Sequence, residues 1–166
     1  MPSRVDFLRQ LGSKNRVTHN DVLRSIRYIL NVRDEKLVEI LELGGGSLSL
    51  EEMQAYLCHE EDPGFYPCSD EVLSRFLNGL IVFKRGVDPA RPAMSVDRRV
   101  TNNVVMKKLR VAFELKDTDL IRLIEKQGTL KVSKSELGAF FRAPDHRNYR
   151  DCGDQYLRNL LKGLAV

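Results

Sequence analysis

The chain has 166 residues, 42% hydrophobic, 30% charged and 7% aromatic, with no Trp and a net charge of +4. That composition excludes disorder, collagen and fibre and fits one ordinary globular domain or two small ones. The longest apolar run, Gly79 to Phe83, is far short of the ~20 residues that span a bilayer, and the first 17 residues hold no apolar core followed by a small-residue cleavage site. Cys58, Cys68 and Cys152 are an odd number without disulfide spacing, which fits reduced thiols. A cytoplasmic protein that does not engage membranes is expected.

In chain order, residues 1–17 come first and have no counterpart elsewhere in the sequence. Val5, Phe7, Leu8 and Leu11 suit one or two amphipathic turns, and the segment is expected to be a frayed extension. Residues 18–84 form a first repeat of four short helices. Val22, Leu23, Ile26, Ile29 and Leu30 recur at helical spacing behind a cap at Thr18 or Asn20. A second helix starts at Asp34, carries Leu37, Ile40 and Leu41, and stops at Gly44-Gly-Gly46. The third opens with Ser49-x-x-Glu52, in which the serine oxygen takes an orphan amide of the first turn and the glutamate reaches back to the cap amide. After a polar loop, a last helix runs from Asp70 with Leu73, Phe76, Leu77 and Leu80 inward.

Residues 85–100 carry a Gly, two Pro and no periodicity, which predicts a linker. Residues 101–166 then repeat the first half. Residues 20–45 align with 103–128, and, after the inserted Thr129, residues 46–82 align with 130–166. Of 63 aligned columns 17 are identical, against on the order of one in fifteen from ordinary composition. The identities include Arg27/Arg110, Asp34/Asp117, Gly45/Gly128, Ser49/Ser133, Glu52/Glu136, Cys68/Cys152, Asp70/Asp154 and Gly79/Gly163. Strand alternation is missing, so the predicted fold class is all-α, two pseudo-symmetric repeats of about four helices each.

The stretches 67–81, 132–137 and 148–164 resemble the bacterial YehS-like family, a domain of unknown function that occurs twice per chain. The resemblance covers roughly residues 18–166 and implies a duplicated helical protein. It lends no activity. Family members begin near Val17, so the first 16 residues depart from the pattern.

Charge separates the halves: residues 18–84 carry a net −6 and residues 101–166 a net +5, with +3 on the extension and +2 on the linker. A basic surface of that kind neutralises phosphates and releases counterions. Equally, the charges could solvate helix faces, or the acidic repeat could pair with the basic one. The densest basic group is the loop Arg142-Ala-Pro-Asp-His-Arg-Asn-Tyr-Arg150, where Arg142, Arg147 and Arg150 surround Tyr149, a composition suited to phosphate contacts plus stacking on an unpaired base. Tyr149 aligns with Phe65, so its ring also reads as a plug between the third and fourth helices. A helix-turn-helix is a further reading of residues 120–141, with Ser133 to Phe141 as recognition helix and Lys131, Lys134 and Ser135 at its amino end.

Sharper chemistries are weaker. The residues ahead of Gly128 lack the alternating Asp oxygens of a calcium loop, and Cys58, His59 and Cys68 lack zinc spacing. Cys152, His146 and Asp154 suggest a nucleophilic set, but Asp154 reads more simply as an N-cap. Arg27 with Asp34, and Arg110 with Asp117, are read as structural. The expectation is a non-enzymatic adaptor or regulator without metal or cofactor. Its basic second repeat binds RNA or DNA through Lys131, Lys134, Arg142, Arg147, Tyr149 and Arg150. The alternatives are a protein-interaction module using a groove between the repeats and, behind it, a Cys/His enzyme.

Overall fold

The computed structural model describes residues 3–12, 16–128 and 130–165, all of them helix, turn or coil. The helices are α1 Arg4–Gly12, α2 His19–Leu30, α3 Asp34–Leu43, α4 Leu50–Leu57, α5 Asp70–Arg85, α6 Asn102–Ala112, α7 Asp117–Glu125, α8 Lys134–Phe140 and α9 Asp154–Leu164. Two compact units result. The first is Thr18–Val100, and the second joins Met1–Val17 to Thr101–Val166.

In the first unit the expected four helices are α2 to α5. Thr18 caps α2 and Ser49 caps α4, each in a complete capping box, with Asp21 and Glu52 as the reciprocal partners. The core gathers Leu23, Ile26, Leu37, Ile40, Leu41, Met53, Leu73, Phe76, Leu77 and Leu80, all fully buried. Helices α3 and α5 cross closely because Gly79 lacks a side chain: a Cβ there would lie 1.8 Å from the Ile40 carbonyl oxygen. The second unit repeats the arrangement at Gly163, whose Cβ would sit 2.7 Å from the Leu123 carbonyl oxygen. The shared glycines at 79 and 163 are thus packing residues. Gly45 and Gly128 are shared for another reason, since both hold the left-handed backbone, at φ 85° and 84°.

Two buried asparagines staple the units. Asn20 donates from Nδ2 to the carbonyls of Tyr56 and Tyr66, both at 2.9 Å, and accepts the Cys68 amide at 3.0 Å. Asn103 does the same for Phe140 (3.0 Å), Arg150 (2.8 Å) and the Cys152 amide (2.9 Å). One side chain on the first helix of each repeat therefore ties down both ends of the loop between its third and fourth helices. The paired Arg and Asp form clamps, Arg27 to Asp34 and Arg110 to Asp117, each at 3.0 Å.

Three expectations change. The extension forms α1, whose Phe7 and Leu11 lie one turn apart and are buried, and α1 packs on α9. A nine-residue helix is marginal alone, and here apolar burial and a bond from Arg158 Nε to the Leu11 carbonyl (2.7 Å) hold it. The far end of the expected linker is also docked. Ser74 and Asp97 exchange bonds of 2.9 and 2.8 Å, and Asn78 donates to the Ser95 carbonyl at 3.1 Å. Finally, Asp70 and Asp154 are not caps, because Ser69 and Gly153 occupy the cap positions. Asp70 Oδ1 instead meets His19 Nε2 at 2.8 Å and accepts the Val100 amide at 3.0 Å. Asp154 Oδ1 correspondingly accepts Asn102 at 3.0 Å and the Val17 amide at 3.2 Å.

Candidate nucleic-acid interface

The basic loop of the second unit runs from the end of α8 to the start of α9, and backbone bonds shape it. Arg150 N–H donates to the Ala139 carbonyl (3.2 Å), His146 N–H to Ala143 and Tyr149 N–H to His146, both at 2.9 Å. The Tyr66 amide bonds Ala55 at the matching place in the first unit, so the loop scaffold is duplicated. Its side chains are not. Where the second unit has Arg142, His146, Arg147 and Arg150, the first has Cys58, Asp62, Pro63 and Tyr66.

A cleft of about 500 Å³ opens over this loop, lined by Ser135, Glu136, Ala139, Arg142, Arg147, Asn148, Tyr149 and Arg150. Four of the six residues expected to meet nucleic acid therefore share one cleft. Arg147 is exposed and makes no ion pair among the described residues. Arg142 Nη1 lies 3.1 Å from His146 Nε2, while the Asn148 amide donates to His146 Nδ1 at 3.0 Å. A guanidinium carries five N–H donors, so the His146 contact leaves Arg142 with N–H groups to spare. Arg150 Nη1 faces Glu136 Oε2 at 3.6 Å and is 63% exposed on its side chain. Tyr149 and Phe65 are both half-buried, in keeping with a shared packing role, and Tyr149 also lines the cleft.

Lys131 and Lys134 stand apart from the cleft lining. Lys131 Nζ lies 4.0 Å from Glu125 Oε1. The helix-turn-helix reading does not hold. Helix α7 ends at Glu125 and α8 begins at Lys134, so residues 126–133 separate them where such a motif has a turn of three or four residues. Helix α8 is also only seven residues long, about 10 Å at 1.5 Å per residue.

The second unit's thiol is placed for packing. Cys152 is buried, its Sγ lies 3.7 Å from the Gly153 carbonyl, and burial pushes its pKa up to about 12. Cys68 matches it, also raised by burial to about 12. A nucleophilic cysteine needs the opposite shift. Among the described residues no group of three or more His, Cys, Asp or Glu is placed to hold a metal ion. No helix among them is long and apolar enough to cross a membrane.

Sequence reasoning located the loop arginines by their density but missed Glu136, Asn103 and Asn148. The signal for Asn103 was present as the Asn20/Asn103 identity. Glu136 was hidden by its alignment with Glu52, the second member of the capping box read in the first repeat. That box is complete in the first unit only; at α8 the Ser133 oxygen accepts the Glu136 amide at 3.0 Å, without the reciprocal bond.

Fold and site together define a duplicated all-helical protein with two diverged copies of one loop surface. The family described as "Protein of unknown function (DUF1456)" matches the chain twice, over residues 19–86 and 102–166, and the chain belongs to that family. It is similar to "Uncharacterized protein YehS" of Escherichia coli (strain K12), at 50% identity over 147 residues, which is 89% of this chain and 94% of that protein. No solved structure matches.

Proposed function

We propose that the chain is a non-enzymatic adaptor or regulator that binds single-stranded nucleic acid, RNA or DNA, through the basic loop of its second repeat. The observation that carries this reading is the cleft lined by Arg142, Arg147 and Arg150 together with Tyr149, with Arg147 in no ion pair among the described residues. Guanidinium groups bind phosphate oxygens in pairs of parallel bonds, and an aromatic ring offers every base a stacking face. Such a site takes an unpaired strand, whose bases can leave the stack, more readily than a duplex that needs a helix in its major groove. At the matching loop positions the first repeat, with net −6 over residues 18–84, has Cys58, Pro63 and Tyr66 in place of the three arginines.

The test is fluorescence anisotropy of labelled single-stranded RNA, single-stranded DNA and duplex DNA, with the full chain and its Arg147→Glu, Arg150→Glu double variant. Single strands are expected to bind in a salt-sensitive way, and the variant to lose that binding. Absence of binding at low salt would reject the reading and leave a protein partner as the leading idea.

A further inference from the structure

Glu136 is an acid in a cleft otherwise walled by arginines and neutral groups. Its counterpart Glu52 is spent on capping, with Oε1 accepting the Ser49 amide at 3.2 Å. Glu136 has been turned to other partners. Tyr156 Oη donates to its Oε2 at 3.3 Å, Arg150 Nη1 approaches the same oxygen at 3.6 Å, and Ser133 Oγ donates to Oε1 at 3.3 Å. Tyr156 and Arg150 both belong to the second repeat alone, which has Val72 and Tyr66 at the matching places in the first. Both residues that reposition the carboxylate therefore diverged in the copy that carries the cleft. The two hydroxyl contacts are long beside the ~2.5–3.0 Å of a well-formed O–H···O bond, the Arg150 contact is longer than the ~2.7–3.2 Å of an N–H···O bond, and the Glu136 side chain is 34% exposed. It retains acceptor capacity for a ligand.

We infer that the cleft is a one-nucleotide pocket selective for guanine, in which the Glu136 carboxylate reads the base edge while the rim arginines hold the phosphate. This rests on the single-strand reading of the same cleft. A carboxylate is an acceptor at both oxygens, and guanine is the one common base whose pairing edge presents two N–H donors side by side. Cytosine and adenine set one amino group beside an acceptor nitrogen, and uracil sets one N–H between two carbonyls; each turns a lone pair toward the carboxylate. A volume of about 500 Å³ holds one nucleotide, and flipped or unstacked bases are read in such pockets along their pairing edge.

The experiment compares three labelled RNAs with the full-length protein: a short oligouridine, the same strand with a few spaced guanosines, and that strand with each guanosine replaced by inosine, which lacks the amino group. The guanosine strand is expected to bind about tenfold tighter than oligouridine, the discrimination of one good bidentate pair, and inosine is expected to lose most of that gain. Glu136→Gln is expected to collapse the difference between strands. Equal affinity for the three RNAs, with salt-sensitive binding retained, overturns guanine selection and leaves the single-strand site standing. A preference that survives in Glu136→Gln also overturns it. Failure of all three strands to bind overturns the single-strand reading itself. The inosine comparison needs only the wild-type protein, so it stands even if the variant folds poorly.

Discussion

Asn103 joins three backbone groups: the carbonyl of Phe140 and the amide of Cys152, both in buried bonds, and the partly buried carbonyl of Arg150. Leaving such groups unsatisfied costs roughly 1–3 kcal/mol each. Asn103→Ala is expected to destabilise the second unit by at least ~2 kcal/mol and to weaken nucleic-acid binding, because the Arg150 backbone loses its anchor. Asn20→Ala is expected to cost similar stability and leave binding intact. Paired chemical denaturation and anisotropy separate the two effects, and equal loss of binding in both variants would contradict the loop-anchoring role. The thiols make a second residue-scale prediction. Cys68 and Cys152 are buried with pKa values near 12, whereas Cys58 is partly exposed. Mass spectrometry after brief alkylation of the native protein at mildly alkaline pH should find Cys58 modified and the other two protected, since only the thiolate reacts. The repeat alignment made the burial of Cys68 and Cys152 legible. It did not reveal the asparagine staples, because a polar residue on a helix start reads first as a cap.

Between helices, contact distance decides what each element tolerates. Gly79→Ala would drive a Cβ to 1.8 Å from the Ile40 carbonyl oxygen, so α3 and α5 must separate. Overpacking of this kind costs about 1–3 kcal/mol, and the first unit's melting temperature should fall by several degrees in a thermal scan. Gly163→Ala, with its nearest atom at 2.7 Å, should cost less. The start of α5 carries an acid dependence. The His19 hydrogen bond, then the Val100 amide, hold the Asp70 carboxyl below the usual carboxylate range. A lowered folded pKa stabilises the fold fully above the unfolded value of about 4 and loses that contribution as pH falls through the folded value. Asp70→Asn should therefore narrow the stability gap between neutral pH and about pH 3 for the first unit, as read by denaturant midpoints. An unchanged gap would remove Asp70 from the acid response.

The helices themselves were legible, because capping serines and apolar spacing are local signals: Ser49, Gly44 and Asp34 bounded α3 and α4 in the sequence as they do in space. The docking of α1 and of residues 95–100 was not. Val17 bonds Asp154 and Val100 bonds Asp70 across 137 and 30 residues of sequence, and no local pattern encodes such pairings. Both partners nevertheless sit at equivalent repeat positions, so a bond found in one unit predicts the other.

Across the whole chain, duplication supplied one loop scaffold twice and divergence charged the copies oppositely. Residues 18–84 carry net −6 and residues 101–166 net +5. The density of arginines in residues 142–150 marked the site, whereas its shape came only with the fold: Lys131 and Lys134, close in sequence to Ser135 and Glu136, do not line the cleft. Helical periodicity alone could not reject the helix-turn-helix, because the length of the α7 to α8 connection depends on where fraying ends each helix.

The central claim, that Arg142, Arg147 and Arg150 act together as a phosphate-binding surface, has a direct readout in the salt dependence of single-strand binding. Three neutralised phosphates on a single strand give a slope of log affinity against log salt of about −2, and each arginine removed reduces it by about 0.7. Measured between roughly 50 and 200 mM salt, the Arg147→Glu, Arg150→Glu variant should lose most of that slope together with its affinity. An undiminished slope in the variant, or binding indifferent to salt in the wild type, would contradict the account.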